Sequence, residues 1–480
     1  MSELASESST QRDELWRRGA GELAGLIRSG EVSSTEVVEA HLRRIEAVNP
    51  RLNAVVVVLA DEALSAAKAA DHKRAAGGEL GPLHGVPVTV KENIDVAGTP
   101  TTSGVVALGE AISPVDSPVV ERLRAAGAVV VGRTNLPDMG LRVSTDSSLR
   151  GLTRNPWHAD RTAGGSSGGE ASAIASGMSP LGAGNDIGGS LRNPAHCCGI
   201  SSLKPSTGRV PHSTAIPPVD SSLAFQLMAV NGPMARHVDD VRLGLRVMNG
   251  PDPRDPESLP VPLSFPDDAR PVRVALLPEP PGGRTDAGVA EVVRRAGAHL
   301  EAAGYEVEEV VPPGYEQVVE LWHDFLFTEL HTLRPVLDEV MGEDGRRFLG
   351  VVLGSRPQLD VDAYVGLFVR RRELARAWAE FFERHPVVVS PIWAQPAFEH
   401  GWDVGSDAQS LATMELLRPV MPANLLGLPA AATPGGLSAG MPVGVQCIAA
   451  PFRDDRALDA AAAIQAAVGA ITPVDPFVNG

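Results

Sequence analysis

Short runs of β-branched residues alternate with helical segments along this chain, and this alternation constrains its fold more than any other feature. Residues 54–60 and 88–90 are strand-like apolar runs, whereas 119–127 have helical spacing and 128–132 are again strand-like. Strands that alternate with helices in this way favour a mostly parallel or mixed sheet with helices on its faces. We therefore predict an α/β fold, with 54–60 as a buried strand.

Local signals extend this prediction to both halves of the chain. Ser33 precedes Glu36 by three residues, a hydroxyl cap followed by an acid, and predicts that a helix begins there. Residues 272–311 have the pattern of a strand, a helix and a strand, which predicts one β–α–β unit. Residues 315–399 are expected to be helical.

The charge of the chain excludes several classes of partner. The net charge is −17 over 480 residues, and both nucleic acids and anionic membrane surfaces attract basic proteins instead. Residues 1–18 are polar without an apolar core, and no run reaches the ~18 apolar residues of a membrane helix. Three cysteines do not support a disulfide framework. We therefore expect a soluble, cytoplasmic protein.

The first of two glycine-rich segments, GGSSGG at 164–169, has three competing interpretations. A phosphate-binding loop would need a Lys after the last glycine, and none follows. The G-x-S-x-G nucleophile elbow fits twice, but an elbow follows a buried strand, and 157–162 carry no strand pattern. It also needs a downstream Asp and His, and no histidine stands out. The third interpretation is a plain glycine-rich turn.

The second segment, Gly188-Gly189-Ser190, ends in a serine. Glycines directly before a serine let backbone N–H groups converge without obstruction by a Cβ, as an oxyanion hole requires. Lys91 ends a short apolar strand that begins at Pro87, and a proline suits only the start or the edge of a strand. The alternative to a buried, functional Lys91 is a lysine that extends its amine to solvent.

These segments are parts of a longer pattern. The sequence GGSSGGEASAIASGMSPLGAGNDIGGSLRNPAHCCGISSLKPSTGRVP (164–211) resembles the signature region of the amidase signature family. HGVPVTVKENID (84–95), GRTNLPDMG (132–140), TRNPW (153–157) and the block 424–446 resemble its other blocks, in the family's order. The resemblance is greatest to soluble bacterial amidases, including aryl acylamidases and urethanases.

The resemblance implies a large mixed central β-sheet flanked by helices on both faces. One amidase domain would cover 1–480, with a signature core at about 80–211 and variable regions at about 212–270 and 315–420 that cover the pocket. It implies no cofactor and no metal. A monomer or a homodimer is expected.

The resemblance also implies roles for individual residues. Ser190 is the expected nucleophile, Ser166 the bridging serine and Lys91 the base. The two serines are 24 residues apart, which matches the family and selects Ser166 over Ser167, and a cis peptide bond is expected before Ser166. The other expected site residues are the oxyanion-hole N–H groups of Ile187, Gly188, Gly189 and Ser190, the acyl-pocket residues Gly140 and Leu141, and the loop-supporting pair Asp186 and Arg192.

Elementary chemistry is consistent with these roles. A serine hydroxyl needs a base within hydrogen-bond reach to become a useful nucleophile. Lysine has a reference pKa of about 10.4, and burial can lower it by several units because it disfavours the ammonium form. We expect the proton of Ser190 to pass through Ser166 to Lys91, and then back to the leaving amine as an acyl-enzyme forms.

Three residues depart from the family pattern. Asn185 and Ser206 stand where Thr is common, and Glu170 stands where Ser is common; none is expected to touch the triad. The run 196–198, HCC, is not expected to bind metal, because adjacent ligands do not easily converge on one ion and the usual cysteine spacing is absent. Its two cysteines are expected to be small packing residues.

Three functions follow from different classes of protein. The first is a hydrolase of small apolar or aryl amides that also accepts esters and carbamates. The second is the glutamine-hydrolysing component of a tRNA-charging amidotransferase, and the apolar character of the Gly140-Leu141 pair is mildly against it. The third, a catalytically inactive binding protein, is disfavoured by the intact set of Lys91, Ser166 and Ser190.

Overall fold

The computed structural model describes residues 14–266 and 271–477. The stretch 1–13, which makes up most of the polar segment 1–18, lies outside the described residues, as do the last four residues of the variable region 212–270. Of the helices that are described, none combines the length and the apolar character needed to cross a bilayer.

The described residues contain fifteen strands. They are β1 (Val55–Val58), β2 (Pro87–Lys91), β3 (Val129–Thr134), β4 (Asp146–Ser147), β5 (Gly151–Leu152), β6 (Arg154–Asn155), β7 (His158–Thr162), β8 (Leu181–Asp186), β9 (Ser201–Lys204), β10 (Val230–Ala235), β11 (Arg273–Leu276), β12 (Glu306–Glu309), β13 (Val387–Pro391), β14 (Ala430–Ser438) and β15 (Met441–Ala449).

Eleven of these strands form one mixed sheet, in the order β1-β3-β2-β8-β10-β9-β14-β15-β13-β11-β12. Strand β2 pairs in parallel with both β3 and β8, whereas β8 pairs antiparallel with β10. The other four strands form two short ribbons, β4 with β5 and β6 with β7. The predicted large mixed sheet is confirmed.

Helices account for most of the remaining regular structure. They are α1 (Ala20–Ser29), α2 (Ser34–Leu52), α3 (Ala60–Ala75), α4 (Pro118–Ala125), α5 (Gly168–Ala175), α6 (Arg192–Cys198), α7 (Leu223–Met228), α8 (Val238–Met248), α9 (Ala287–Ala302), α10 (Tyr315–Val340), α11 (Glu343–Gly354), α12 (Val361–Phe382), α13 (Trp402–Gly405), α14 (Asp407–Leu417), α15 (Met421–Leu425) and α16 (Asp454–Val468). Short 3-10 turns lie at Leu15–Arg17, Val106–Leu108, Asp138–Gly140 and Arg418–Val420.

Apolar clusters on both faces of the sheet hold these helices in place. Val88 and Val90 of β2 point into the cluster that α8, α9 and α16 cover. Because side chains alternate along a strand, Thr89 and Lys91 point to the opposite face, where α5, α6 and α10 pack. The fold thus places a lysine at the end of an inner strand and under three helices.

Two local predictions are confirmed. Ser33 caps α2, and its hydroxyl accepts a hydrogen bond from the Glu36 amide while the Glu36 carboxylate accepts one from the Ser33 amide. Strands β11 and β12 are parallel and α9 connects them, as expected of a β–α–β unit.

Three local predictions are wrong. Residues 54–60 hold β1, which is an edge strand and not a buried one, so that Val58 is 44% exposed. Residues 157–162 do contain a strand, β7, whose polar side chains suit a ribbon outside the main sheet. Residues 315–399 are not wholly helical, because the apolar run Val387–Pro391 forms β13 inside the sheet.

Candidate active site

Lys91 ends strand β2 and is fully buried. Its Nζ donates hydrogen bonds to Ser166 Oγ at 2.8 Å and to Asn185 Oδ1 at 2.6 Å. Burial lowers the pKa of Lys91 to about 7, although the carboxylates of Asp186 and Glu170 act in the opposite direction. The alternative of a lysine that reaches solvent is therefore wrong, and the amine is poised to exchange a proton near neutral pH.

Ser166 lies in the loop between β7 and α5, and its peptide bond with Gly165 is cis, as expected. The loop is packed too closely for larger residues. A Cβ on Gly164 would lie 2.7 Å from Asn193 Oδ1, and one on Gly140 would lie 3.3 Å from Ser166 Oγ. The Gly165 N–H also donates to Asn193 Oδ1 at 3.0 Å. These contacts fix the position of Ser166 relative to α6.

The loop that carries Ser190 is organised around the carboxylate of Asp186. This carboxylate accepts hydrogen bonds from the N–H groups of Gly189 (2.8 Å) and Leu191 (3.1 Å) and pairs through both oxygens with the Arg192 guanidinium. Asp186 and Arg192 are both buried, so the alternative of a surface ion pair is wrong. Although burial opposes the charge, Arg192 and Asn424 hold the pKa of Asp186 well below its usual range.

The backbone of this loop presents fewer free donors than the four that were expected. The Gly189 N–H already donates to Asp186. By contrast, the N–H groups of Ile187, Gly188 and Ser190 donate to no acceptor among the described residues. Three donors are therefore available for an oxyanion. Gly189 contributes its backbone conformation instead, with a φ of +91° and a Cβ position 2.8 Å from Val420 Cγ2.

Ser190 and Ser166 line the same cavity, but no hydrogen bond joins their hydroxyls in this structure. The backbone does connect them, since the Ser167 N–H donates to the Ser190 carbonyl at 3.2 Å. Catalytic hydrogen bonds are often incomplete without substrate and form in the complex. The structure thus brings Lys91 and Ser166 into contact and places Ser190 beside them.

Two cavities meet at Ser190. The larger, of about 220 Å³, is partly polar and is lined by both serines, Asn93 and the segment 212–218. The narrower, of about 60 Å³, is apolar. Gly140, Leu141, Ile187 and Ser190 line both cavities. The narrower cavity is otherwise lined by Arg142, Val143, Gly188, Trp322, Leu326, Phe327, Leu330, Phe348, Leu349, Val352, Met414 and Leu417.

Asn185 was expected, like the other two residues that depart from the family pattern, not to contact the catalytic triad. For Asn185 this expectation is wrong. Its Oδ1 accepts the hydrogen bond from Lys91, and its Nδ2 donates to Asn93 Oδ1 at 3.0 Å. Only the parallel register of β2 with β8, a non-local feature, brings the two residues together. Ser206 does lie away from the site, with its hydroxyl on Asp454.

Glu170 lies beneath the lysine strand without touching the lysine. Its carboxylate accepts hydrogen bonds from the hydroxyls of Thr89 and, at 2.7 Å, Thr134. Burial raises the pKa of Glu170 to about 7, while both hydrogen bonds and Lys91 counteract this shift. The sequence contained a signal for this residue, because a glutamate inside a stretch of small residues needs buried partners.

The run 196–198 packs as expected of small buried residues. Cys197 and Cys198 are buried, and His196 bonds to backbone groups of Gln395 and Gly444. No group of three or more His, Cys, Asp and Glu side chains within the described residues is arranged to hold a metal ion.

Comparison with known proteins identifies the family. The protein-family model that describes the amidase family matches residues 36–458 of this chain. The chain belongs to the amidase family. It is an enzyme that hydrolyses amides, as the resemblance in its sequence predicts.

Individual relatives cover nearly the whole chain. The chain is 45% identical to the indoleacetamide hydrolase of Bradyrhizobium diazoefficiens, over 95% of its length and 88% of that protein. It is 36% identical to one component of the glutamyl-tRNA(Gln) amidotransferase of Salinispora arenicola, over 95% and 98%. The solved structure of a bacterial aryl acylamidase of the amidase signature family superposes with a TM-score of 0.79 at 27% identity, over 94% and 96%.

Proposed function

We propose that this chain hydrolyses small amides with an apolar or aryl acyl group through an acyl-enzyme on Ser190. The observation that carries the proposal is the buried hydrogen bond of 2.8 Å between Lys91 Nζ and Ser166 Oγ, at a cavity that Ser190 also lines. A buried lysine that titrates near neutrality is a competent base at physiological pH. Ser166 is the only hydroxyl that the Lys91 amine contacts among the described residues.

The proposed reaction has two balanced steps. Ser190 Oγ attacks the carbonyl carbon, and its proton moves through Ser166 to Lys91. The N–H groups of Ile187, Gly188 and Ser190 receive the oxyanion, the C–N bond breaks, and Lys91 returns the proton through Ser166 to the leaving nitrogen. Water then attacks the ester, gives its proton to the same relay, and Ser190 leaves with that proton as the carboxylic acid departs.

The lining of the narrower, apolar cavity favours binding of an apolar acyl group of the substrate. Apart from Arg142, its walls are aromatic and aliphatic side chains with backbone of the nucleophile loop. The indoleacetamide hydrolase relative is named for a substrate whose acyl group carries an aromatic ring. Esters and carbamates would form the same kind of acyl intermediate and are included in the proposal.

The amidotransferase alternative requires a cation for the carboxylate of glutamine. Arg142 is the only Arg or Lys among the described residues that line the two cavities. Its guanidinium is engaged with both oxygens of buried Asp403, at 2.9 and 3.0 Å. A charge that is already paired in this way is a poor receptor for a second carboxylate. The geometry therefore favours the apolar amide over glutamine.

The proposal is tested by following a matched aryl amide, aryl ester and aryl carbamate with the purified full chain. Turnover of the amide by the chain alone is expected, and the ranking of the three compounds defines the subclass. Indole-3-acetamide is the amide to use, with glutamine as the comparison. Turnover of glutamine alone, or of none of these compounds, would contradict the proposal.

The pH dependence of amide hydrolysis should report on Lys91. Only the neutral amine accepts a proton, so kcat/KM is expected to rise about tenfold per pH unit below pH 7 and to level off above it. Glu170 has a pKa of about 7 and carries only part of its negative charge over the rising limb, so Glu170→Gln should move the limb only slightly to lower pH. A value of kcat/KM that does not fall below pH 7 in the wild type would show that the titrating group is not Lys91.

The apolar cavity should control KM more than kcat. Phe348→Leu removes part of an aromatic wall, and we expect KM for indole-3-acetamide to rise about tenfold with little change in kcat, as for lost ground-state contacts. Leu353→Val on the same helix is the matched control, because Leu353 is buried but does not line the cavity. Equal effects on KM in both variants would mean that the acyl group binds elsewhere.

A further inference from the structure

Trp322 connects the apolar wall to the loop that carries Ser190. It belongs to α10, it is buried, and it lines the narrower cavity. Its indole N–H donates a hydrogen bond of 3.1 Å to the Ile187 carbonyl. Its ring also lies so close to Gly188 that a Cβ there would be 2.7 Å from Trp322 Cζ2. One side chain therefore contacts both residues of the 187–188 peptide unit.

That peptide unit includes one of the three free N–H donors. The carbonyl of Ile187 and the N–H of Gly188 belong to one planar trans unit, so they point in opposite directions and move together. A hydrogen bond that holds the carbonyl in place consequently fixes the direction of the N–H. Rotation of the unit would instead present a carbonyl oxygen, whose partial negative charge repels an oxyanion.

We propose that Trp322 is a positioning residue for the oxyanion hole, because its indole N–H holds the Ile187 carbonyl and so keeps the Gly188 N–H directed for use. This inference rests on the acyl-enzyme mechanism proposed above and adds to it a contribution from α10, which lies more than a hundred residues beyond Ser190 in the sequence. The acyl group in the apolar cavity would pack against the same indole. Substrate binding and support of the hole then share one side chain.

A wall residue and a positioning residue differ in what their loss affects. Loss of a wall weakens the binding of any ligand in the cavity, whether or not it carries a carbonyl. Loss of a positioning residue weakens only species that place an oxyanion in the hole, which lowers kcat. Two probes separate these effects: 3-methylindole, which has no carbonyl, and phenylboronic acid, whose adduct with a serine hydroxyl is a tetrahedral anion.

The experiment removes the indole donor from the full chain in two ways. Trp322→Phe keeps an aromatic ring, and replacement of Trp322 by 3-benzothienylalanine keeps the bicyclic shape but has sulfur in place of the N–H. We expect kcat for indole-3-acetamide to fall by about 10- to 100-fold in both, somewhat less than for outright loss of an oxyanion donor. In the benzothienyl variant, inhibition by phenylboronic acid should weaken by a similar factor, whereas inhibition by 3-methylindole should hardly change. Trp322→Phe also loses part of the cavity wall, so it should weaken both inhibitors, and phenylboronic acid more than 3-methylindole.

Phe327→Leu is the matched control, since Phe327 lines the same cavity from the same helix but has no donor. It should weaken both inhibitors alike and leave their ratio at the wild-type value. If both Trp322 variants keep the wild-type ratio and kcat, the inference is wrong and Trp322 is only a wall. If the proposed function itself is wrong, the wild-type enzyme will neither hydrolyse the amide nor bind the boronic acid, and this outcome is distinct from failure of the inference about Trp322. Thermal melting checks folding, and the benzothienyl variant preserves the packing if Trp322→Phe does not fold.

Discussion

Replacement of Ser190 by alanine is expected to reduce amide hydrolysis by about 10⁶-fold, the loss typical of an acyl-enzyme nucleophile. The change should leave the fold intact, since the Ser190 hydroxyl bonds to no other side chain among the described residues and its removal leaves no buried partner unsatisfied. Ammonia release from indole-3-acetamide gives the rate, and thermal melting gives the stability.

A serine outside the site provides the control for this substitution. Ser179 is buried, and its hydroxyl bonds only to the Leu181 carbonyl within the described part of the chain. Ser179→Ala removes the same atom from a similar environment and should retain most of the activity. The nucleophile would have to be sought elsewhere if Ser190→Ala kept a substantial fraction of the wild-type rate, and Ser166 would then be the next candidate.

Replacement of Lys91 by methionine is expected to lower amide hydrolysis by about 10²- to 10⁴-fold, the usual contribution of a general base. Methionine fills a similar buried volume but cannot take the proton that Ser166 passes on. Esters should lose much less than amides, because an alkoxide or aryloxide leaves without prior protonation and an amine does not. The ratio of amide to ester rates, measured on a matched pair, tests this difference directly.

A second buried lysine allows a matched comparison. Lys204 is also fully buried, its pKa is likewise lowered to about 7 by burial, and it donates to the carbonyls of Pro205 and Leu428. Lys204→Met should lower the melting temperature because it leaves both carbonyls without that donor, yet the rising limb of the pH profile should persist. In Lys91→Met the limb should vanish. Loss of the limb in Lys204→Met alone would contradict the assignment of the base.

Sequence patterns predicted the elements that depend on neighbouring residues. The cap at Ser33, the strand that ends at Lys91 and the β–α–β unit at 272–311 each follow from local chemistry. The resemblance to the family then supplied what local patterns lack, namely that Lys91 and Ser166 lie together.

The features that the sequence did not predict depend on contacts between distant segments. Asn185 reaches Lys91 only through the register of two parallel strands, and Trp322 reaches Ile187 only because α10 packs over the sheet. The engagement of the Gly189 N–H depends on the loop conformation around Asp186, which the residue types alone do not define. An edge strand and an inner strand can have the same apolar sequence pattern. The run 54–60 contains an edge strand because β1 lies at the end of the sheet and pairs there with β3 alone.

Two of the three helices that line the narrower cavity, α10 and α11, enter the chain in a single connection between two strands, whereas the third, α14, follows β13. Helices α10, α11 and α12 lie between β12 and β13, both of which run parallel to β11, while the proposed relay comes entirely from residues 91–190. Replacement of this crossover by that of a relative would therefore change much of the cavity wall and leave residues 91–190 unchanged. A transplanted crossover would keep the proposed support of the oxyanion hole only if its first helix again offers a hydrogen-bond donor to the Ile187 carbonyl. The residue at position 322 would therefore affect both the substrate preference and the rate of hydrolysis.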